Sequence, residues 1–185
     1  MSRIVVSQFV SLDGVVEDPV GMEDLGRGSW THASTGEEGG AFKLDEIRGT
    51  DAMLFGRRTY DAYVLAWPGR DGEYADKLNA MPKYVVSGSL RDPEWSNTTV
   101  LPHVDAVAEL REQPGGDILI QGSAQLVDAL LERDLVDEWR LMVFPVIVGA
   151  GKRCFGDPGR AVDVRLLESR AVGDGVQILR YEPQR

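Results

Sequence analysis

The chain holds one cysteine, Cys154, in 185 residues. A single thiol excludes an intramolecular disulfide and any cysteine-built metal cluster, and it suits a reducing compartment. With only His32 and His103 as possible imidazole partners, Cys154 reads as a small hydrophobe packed near Phe155 rather than as a nucleophile. The two histidines lack further ligands at matching spacing, so no metal is expected. Basic residues are fewer than acidic ones, 20 against 30, and the net charge of -10 argues against a generic surface for nucleic acid. Net charge describes the whole surface, so a cleft lined by two arginines can still hold a phosphate. No apolar run approaches membrane-spanning length. Met1-Ser2-Arg3 leads straight into Ile4-Val5-Val6, without the basic region, apolar stretch and small-residue cleavage site of a secretory signal. A cytoplasmic protein is expected, with neither nucleic acid nor membrane as partner.

What is present reads as one α/β domain with a single core. Ile4 to Val10 is a β-branched run suited to a strand buried on both faces. Residues 11–40 lack clear periodicity, and so long a loop in a compact domain is expected to border a site. From Ala41 to Arg48 the pattern predicts a short helix, with Phe42, Leu44 and Ile47 inward and Lys43, Asp45 and Glu46 toward water. Ala52 to Phe55 is a second strand, ended by Gly56 before a helix that stops at Trp67-Pro68-Gly69. A helix over 71–80, a strand over Tyr84 to Ser87 and a short strand over Thr98 to Leu101 follow. Then come a helix over 104–112, the strand Ile118 to Ile120 and a helix over 123–133. Three or more βα units imply a parallel sheet with helices on both faces. The last third reads as extended from Glu138 to Val148, then as two strands, Val162 to Leu167 and Val176 to Tyr181, around Gly173-Asp174-Gly175. A parallel core finished by an antiparallel hairpin is a mixed sheet, whose ligands bind beyond the carboxyl ends of the strands.

Three constellations fall at such ends. In Gly56-Arg57-Arg58-Thr59 a glycine turns the chain tightly into a helix whose N-terminus favours an anion, with Arg57 or Arg58 able to clamp a phosphate. Gln121-Gly122-Ser123-Ala124 repeats strand, glycine and helix start, with Ser123 as the expected cap. Together with Ser87 at the end of a third strand, the two turns suit a dinucleotide stretched across strand ends. Neither GxGxxG nor the GxxxxGK[ST] phosphate loop occurs. Ser11-Leu12-Asp13-Gly14, after the first strand, supplies a hydroxyl and a carboxylate or else forms a plain turn.

Taken in order, these motifs resemble the dihydrofolate reductase-like superfamily. Pro82-Lys83-Tyr84-Val85-Val86-Ser87 and Phe144-Pro145-Val146-Ile147-Val148-Gly149-Ala150-Gly151 extend the likeness over nearly the whole chain. The match is closest to stand-alone proteins similar to the C-terminal reductase domain of the bifunctional riboflavin-pathway deaminase-reductase. The resemblance implies the mixed sheet of that superfamily and an NADPH site at Gly56, Arg57, Thr59, Ser87, Gly122, Ser123 and Ala124, to which the Gly56-Arg57-Arg58-Thr59 turn adds Arg58. It implies a substrate site at Ser11 and Asp13, with Asp13 as the catalytic group; Trp30, from its place in the long loop, is expected to cover a flat ring. The activity implied is hydride transfer to a small heterocycle, of the 5-amino-6-(5-phosphoribosylamino)uracil reductase type. It also implies a homodimer. A first-helix acid that would bind a pterin finds no clear counterpart among Glu37, Glu38 and Asp45, so folate reduction is not expected. Deamination needs cysteines the chain lacks. The alternative is a non-catalytic, nucleotide-binding dimeric protein of the same fold.

Overall fold

The computed structural model describes residues 1–21, 28–31, 35–156 and 160–184. In chain order the elements are β1 (Arg3–Ser11), α1 (Gly36–Arg48), β2 (Thr50–Gly56), α2 (Arg57–Ala66), α3 (Glu73–Ala80), β3 (Lys83–Val86) and β4 (Thr98–Leu101). They continue as α4 (Ala106–Glu112), β5 (Asp117–Ile120), α5 (Ala124–Leu131), β6 (Glu138–Phe144), β7 (Val164–Val172) and β8 (Val176–Pro183). One eight-stranded sheet runs in the order β4-β3-β2-β5-β1-β6-β8-β7. The strands from β4 to β6 pair in parallel, and β8 pairs antiparallel with both β6 and β7. This is the mostly parallel mixed sheet of the dihydrofolate reductase-like class, with its antiparallel hairpin at the C-terminal end. No helix among the described residues is long and apolar enough to cross a membrane.

Side-chain alternation along β1 divides the core. Ile4, Val6 and Val10 pack with Val107 and Leu110 of α4 and with Leu126, Val127, Leu130 and Leu131 of α5. Val5 packs on the opposite face with Ile47 of α1, Tyr60 of α2 and Leu78 of α3. A third cluster joins Phe9, Trp30 and Phe42 to Met142 and Phe144 of β6 and to Val176 and Ile178 of β8. Helices therefore cover both faces of a central strand that lies between β5 and β6. Cys154 is buried in the α4/α5 cluster, and burial pushes its thiol up to about 12, the state of a packed hydrophobe.

A charged cluster pins the strands beside β1. Glu138 is wholly buried and accepts from Arg3 of β1 at 2.5 Å, from Arg140 of its own strand at 2.8 Å and from Arg180 of β8 at 2.7 Å. Burial alone would raise its pKa; the hydrogen bonds from Arg180, Arg140 and Arg3 outweigh that and bring it down to about 2.

Strand β7 runs to Val172 rather than Leu167, and two further differences from the sequence expectation bear on the site. Helix α1 begins at Gly36, inside the expected loop, because its glycines serve packing: a Cβ on Gly39 would meet Thr35 Cγ2 at 2.5 Å and Met142 Cε at 3.3 Å. Strand β6 ends at Phe144 rather than Val148, since Pro145 has no N–H for the ladder. The chain beyond it folds back over the turn after β1, with Leu12 N donating to Val146 O at 2.8 Å and Val16 N to Lys152 O at 2.9 Å.

Candidate functional site

The carboxyl ends of β2, β5 and β1 lie side by side, so the turns that follow them meet. A Cβ on Gly56 would lie 2.1 Å from Ser123 Oγ, and one on Gly122 would lie 3.6 Å from Thr59 Cγ2. Gly122 has φ 94° and Ser123 φ 72°, a left-handed pair that lets the chain turn from β5 into α5. The N-termini of α2 and α5 thereby come together. Neither carries a side-chain cap or an acidic residue in its first turn, whereas α1, α3 and α4 all have acidic first-turn residues. Two uncapped helix N-termini set side by side favour an anion. Ser123 holds the capping position expected of it, but its hydroxyl makes no cap bond and is turned toward Gly56.

Next to these turns lies a cavity of about 370 Å³. Arg58, Thr59, Gly122, Ser123 and Ala124 form one part of its wall, the segment from Val16 to Val20 another, and Phe9, Tyr63, Trp67 and Tyr74 an aromatic part. Trp67 and Tyr74 stack with ring centres 5.1 Å apart, and Tyr63 follows 6.1 Å from Trp67. Behind the aromatic wall runs a polar chain. Tyr63 and Tyr74 both donate to Gln121 Oε1, at 3.2 and 2.9 Å, and burial pushes both phenols far above their usual pKa, so they remain donors. Gln121 Nε2 donates to Glu46 Oε2 at 3.3 Å, and Ser7 Oγ donates to the same oxygen at 3.0 Å. Lys43 Nζ donates to Ser7 Oγ at 2.8 Å, forms an ion pair with Glu46 and sits 5.6 Å from the centre of the Phe9 ring. The other Glu46 oxygen faces Arg140 at 3.9 Å.

Lys43 and Glu46 were expected to face water. Glu46 is buried at 6% exposure, and Lys43 lines the cavity. Their partners Ser7, Gln121 and Arg140 come from β1, from the turn after β5 and from β6, so helical periodicity alone could not reveal them. Of the acids on α1, which include Glu37, Glu38 and Asp45, Glu46 is the buried one.

Of the residues expected to bind a cofactor, Arg58, Thr59, Gly122, Ser123 and Ala124 line the cavity, and Gly56 backs onto Ser123. Arg57 opens α2 but points along it, its Nε donating to both oxygens of Asp61 at 2.8 and 2.9 Å. Ser87 stands at the end of β3, where its hydroxyl accepts from Ser89 N and Leu90 N.

The residues expected at the substrate, Ser11, Asp13 and Trp30, do not line this cavity. Asp13 does not line the cavity: its carboxylate accepts from Ser11 Oγ at 2.6 Å, Val148 N at 3.0 Å and Gly149 N at 2.9 Å, and Arg153 bonds its backbone oxygen. The Ser11 hydroxyl, followed by these amides, holds the carboxyl far below the usual carboxylate range. A group so acidic holds no proton to give near neutrality. Ser11 is 1% exposed and its oxygen also accepts from Val15 N, so both residues clasp the two loops together. Trp30 donates its indole N–H to Glu17 O at 3.3 Å and meets Phe144 edge-on at 5.7 Å, packing into the core rather than over the cavity. His103 is exposed near Asp105, and His32 lies outside the described residues.

The model of the RibD C-terminal domain matches residues 2–178. The uncharacterized protein YyaP of Bacillus subtilis strain 168 is 28% identical over 188 residues, covering 97% of this chain and 94% of its own. A putative riboflavin biosynthesis protein from Shewanella sp. PV-4 superposes with a TM-score of 0.74 at 23% identity, over 99% of both chains. Dihydrofolate reductase from Enterococcus faecalis, solved with NADP(H) and RAB-propyl, gives a TM-score of 0.65 at 12% identity, over 99% of this chain and 97% of that one.

Proposed function

The chain belongs to the RibD C-terminal domain family, and from that membership we propose that it is an NADPH-dependent reductase acting on a small heterocycle. The observation that carries this reading is the meeting of two uncapped helix N-termini, α2 and α5, at the mouth of a cavity with an aromatic wall. When bound, NADPH supplies the hydride and the protein supplies everything else. The fit is supported by the glycine at Gly56, which brings the two turns together, and by Gly122, whose missing side chain leaves backbone open beside Thr59. Phosphate oxygens are bound by the first-turn N–H groups of α2 and α5, by Arg58 and by Thr59 Oγ1. Arg57 joins them by exchanging its exposed partner Asp61 for a phosphate, and Ser87 borders the adenosine end.

At the other end, Tyr63, Trp67 and Tyr74 flank a flat ring. Lys43 holds the proton that a reduction requires at Nζ, shared with Ser7 Oγ and fixed in place by Glu46. Asp13 and Ser11 act at one remove, by fixing the loop after β1 against the loop after β6. A ribosylaminopyrimidine of the riboflavin-pathway type is the first compound to try as substrate. The protein is further proposed to be a homodimer joined through its β7/β8 end.

A fluorescence titration tests the reading directly, because Trp67 alone of the four tryptophans lines the cavity. NADPH should quench the emission, and Trp67→Phe should remove most of the quenching. Cofactor oxidation with a pyrimidine or pterin substrate, lost in Lys43→Met, would support the enzyme. Tight NADPH binding with no turnover on any such ring would favour a nucleotide-binding protein, and no binding of NADPH or NADH would sink both.

A further inference from the structure

Gln8 lies in the middle of β1 at 4% exposure, and neither its amide nitrogen nor its amide oxygen has a hydrogen-bond partner among the described residues. Buried polar side chains are nearly always paired, so an open amide calls for a cause. Its position sharpens the point. Along β1 it falls on the stripe of Ile4, Val6 and Val10, where an apolar side chain would match its neighbours in the α4/α5 cluster. Instead, the stripe is broken by an amide that lines the cavity beside Val16 and beside Ala124 and Gln125 of α5. The cavity glutamine that follows β5, Gln121, behaves differently: Tyr63 and Tyr74 donate to its oxygen, and its nitrogen donates to Glu46. One amide is fixed by the fold and the other is left for a ligand.

A side-chain amide presents a donor and an acceptor side by side, and the group that satisfies both at once is another amide edge. We propose that Gln8 is a specificity residue that reads the carboxamide of the nicotinamide ring; this rests on the cofactor reading above. The choice of the cofactor's amide over a ring amide of the substrate follows from the faces of the sheet. Gln8 shares its face with α5, whose N-terminus forms half of the phosphate site, while Lys43, Tyr63, Trp67 and Tyr74 belong to the face of α1 to α3. The carboxamide edge thus falls on the side of β1 that carries the α5 half of the phosphate site, and the ring-binding wall on the side of α1 to α3.

The test compares wild type with Gln8→Leu by titration and thermal melting. The probes are NADPH, its 3-acetylpyridine analogue, in which a methyl ketone replaces the carboxamide, and 2′,5′-ADP, which lacks the nicotinamide. Wild type should prefer NADPH to the analogue by about tenfold, the worth of a lost buried hydrogen bond, and Gln8→Leu should bind the two equally. Its affinity for 2′,5′-ADP should match wild type, and its melting temperature should be no lower, because an apolar residue suits the stripe. A preference for NADPH retained by Gln8→Leu would overturn the assignment while leaving the cofactor site standing. So would a Gln8→Leu protein that keeps this preference but no longer distinguishes uracil from 1,3-dimethyluracil, which would move Gln8 to the substrate. Failure of wild type to bind either NADPH or 2′,5′-ADP would overturn the cofactor reading and this assignment with it.

Discussion

Ser123 Oγ occupies the space where a side chain on Gly56 would begin, 2.1 Å from an ideal Cβ on that residue. The two turns proposed to hold a pyrophosphate are therefore spaced by the absence of a single carbon. Gly56→Ala should force them apart, lowering stability by about 1–3 kcal/mol as overpacked sites do and weakening NADPH by at least about tenfold. Ser123→Gly in the same chain should restore much of both, since it removes the clashing oxygen and places glycine at φ 72°. Urea denaturation and NADPH titration of the single and double variants check this. Independent, additive effects would show that the turns do not touch.

The arginines at the start of α2 should divide their work. Arg58 lines the cavity, and Arg58→Ala should weaken NADPH by about 10–100-fold, the range for a charge-assisted hydrogen bond, and NADH far less. Arg57 is bonded to Asp61, with both side chains near half exposure, and exposed pairs one turn apart hold each other weakly. Asp61→Ala should accordingly release Arg57 and raise NADPH affinity severalfold without raising that for NADH. Unchanged affinity in Asp61→Ala would exclude Arg57 from the phosphate site.

Much of the fold was legible because its signals are local. Gly56, Pro82, Gly122 and the Gly173-Asp174-Gly175 turn each ended or joined a strand where punctuation by glycine and proline says they should. The two turns that open α2 and α5 were legible for the same reason, being strand, glycine and helix in sequence. The other end of the cavity was not. Glu46 is polar by composition and buried by context: Ser7 and Gln121 are 39 and 75 residues away in sequence. Gln8 is a polar residue inside an apolar run, a break in pattern that could have flagged it. Asp13 was expected at the substrate because a carboxylate at a strand's end resembles a catalytic group, and nothing local shows that two distant backbone amides, Val148 and Gly149, donate to it.

Lys83 gives the protein a pH-dependent stability unconnected with the cavity. It is fully buried, donates to the carbonyls of Asn79, Met81 and Ser96 at 2.8, 2.8 and 3.2 Å and lies 4.6 Å from the centre of the Trp95 ring. Burial lowers its pKa from 10.5 to about 8. Between those values the unfolded chain binds more protons than the folded one, so this residue makes stability rise with pH across that window and leaves it flat below. The full span is worth roughly 3 kcal/mol. Lys83→Met removes the titration and leaves three carbonyls without their donor. It should be less stable than wild type at pH 7, and the gap should widen on going from pH 8 to pH 10. Denaturant midpoints at these pH values check it, and a constant gap would reject the depressed pKa.

The far end of the sheet should carry the dimer contact. Strand β7 is an edge strand with Val164, Leu166 and Leu167 at 42%, 51% and 38% exposure, and Phe155 beside it is 47% exposed. Leu131, Trp139, Leu141, Phe155, Val162, Val164 and Tyr181 line an apolar recess of about 260 Å³ there. An exposed edge with apolar side chains is an aggregation hazard unless something covers it. A second copy related by a two-fold axis would meet the same surface with its own, which is how most soluble dimers form. Phe155→Asp combined with Leu166→Lys should leave the NADPH site intact, because neither residue lines that cavity, while shifting the protein from dimer to monomer in sedimentation velocity. Wild type should also melt at a temperature that rises with protein concentration, as linked folding and association require. A wild-type monomer at micromolar concentration, with a melting temperature independent of dilution, would rule out this face as the dimer contact.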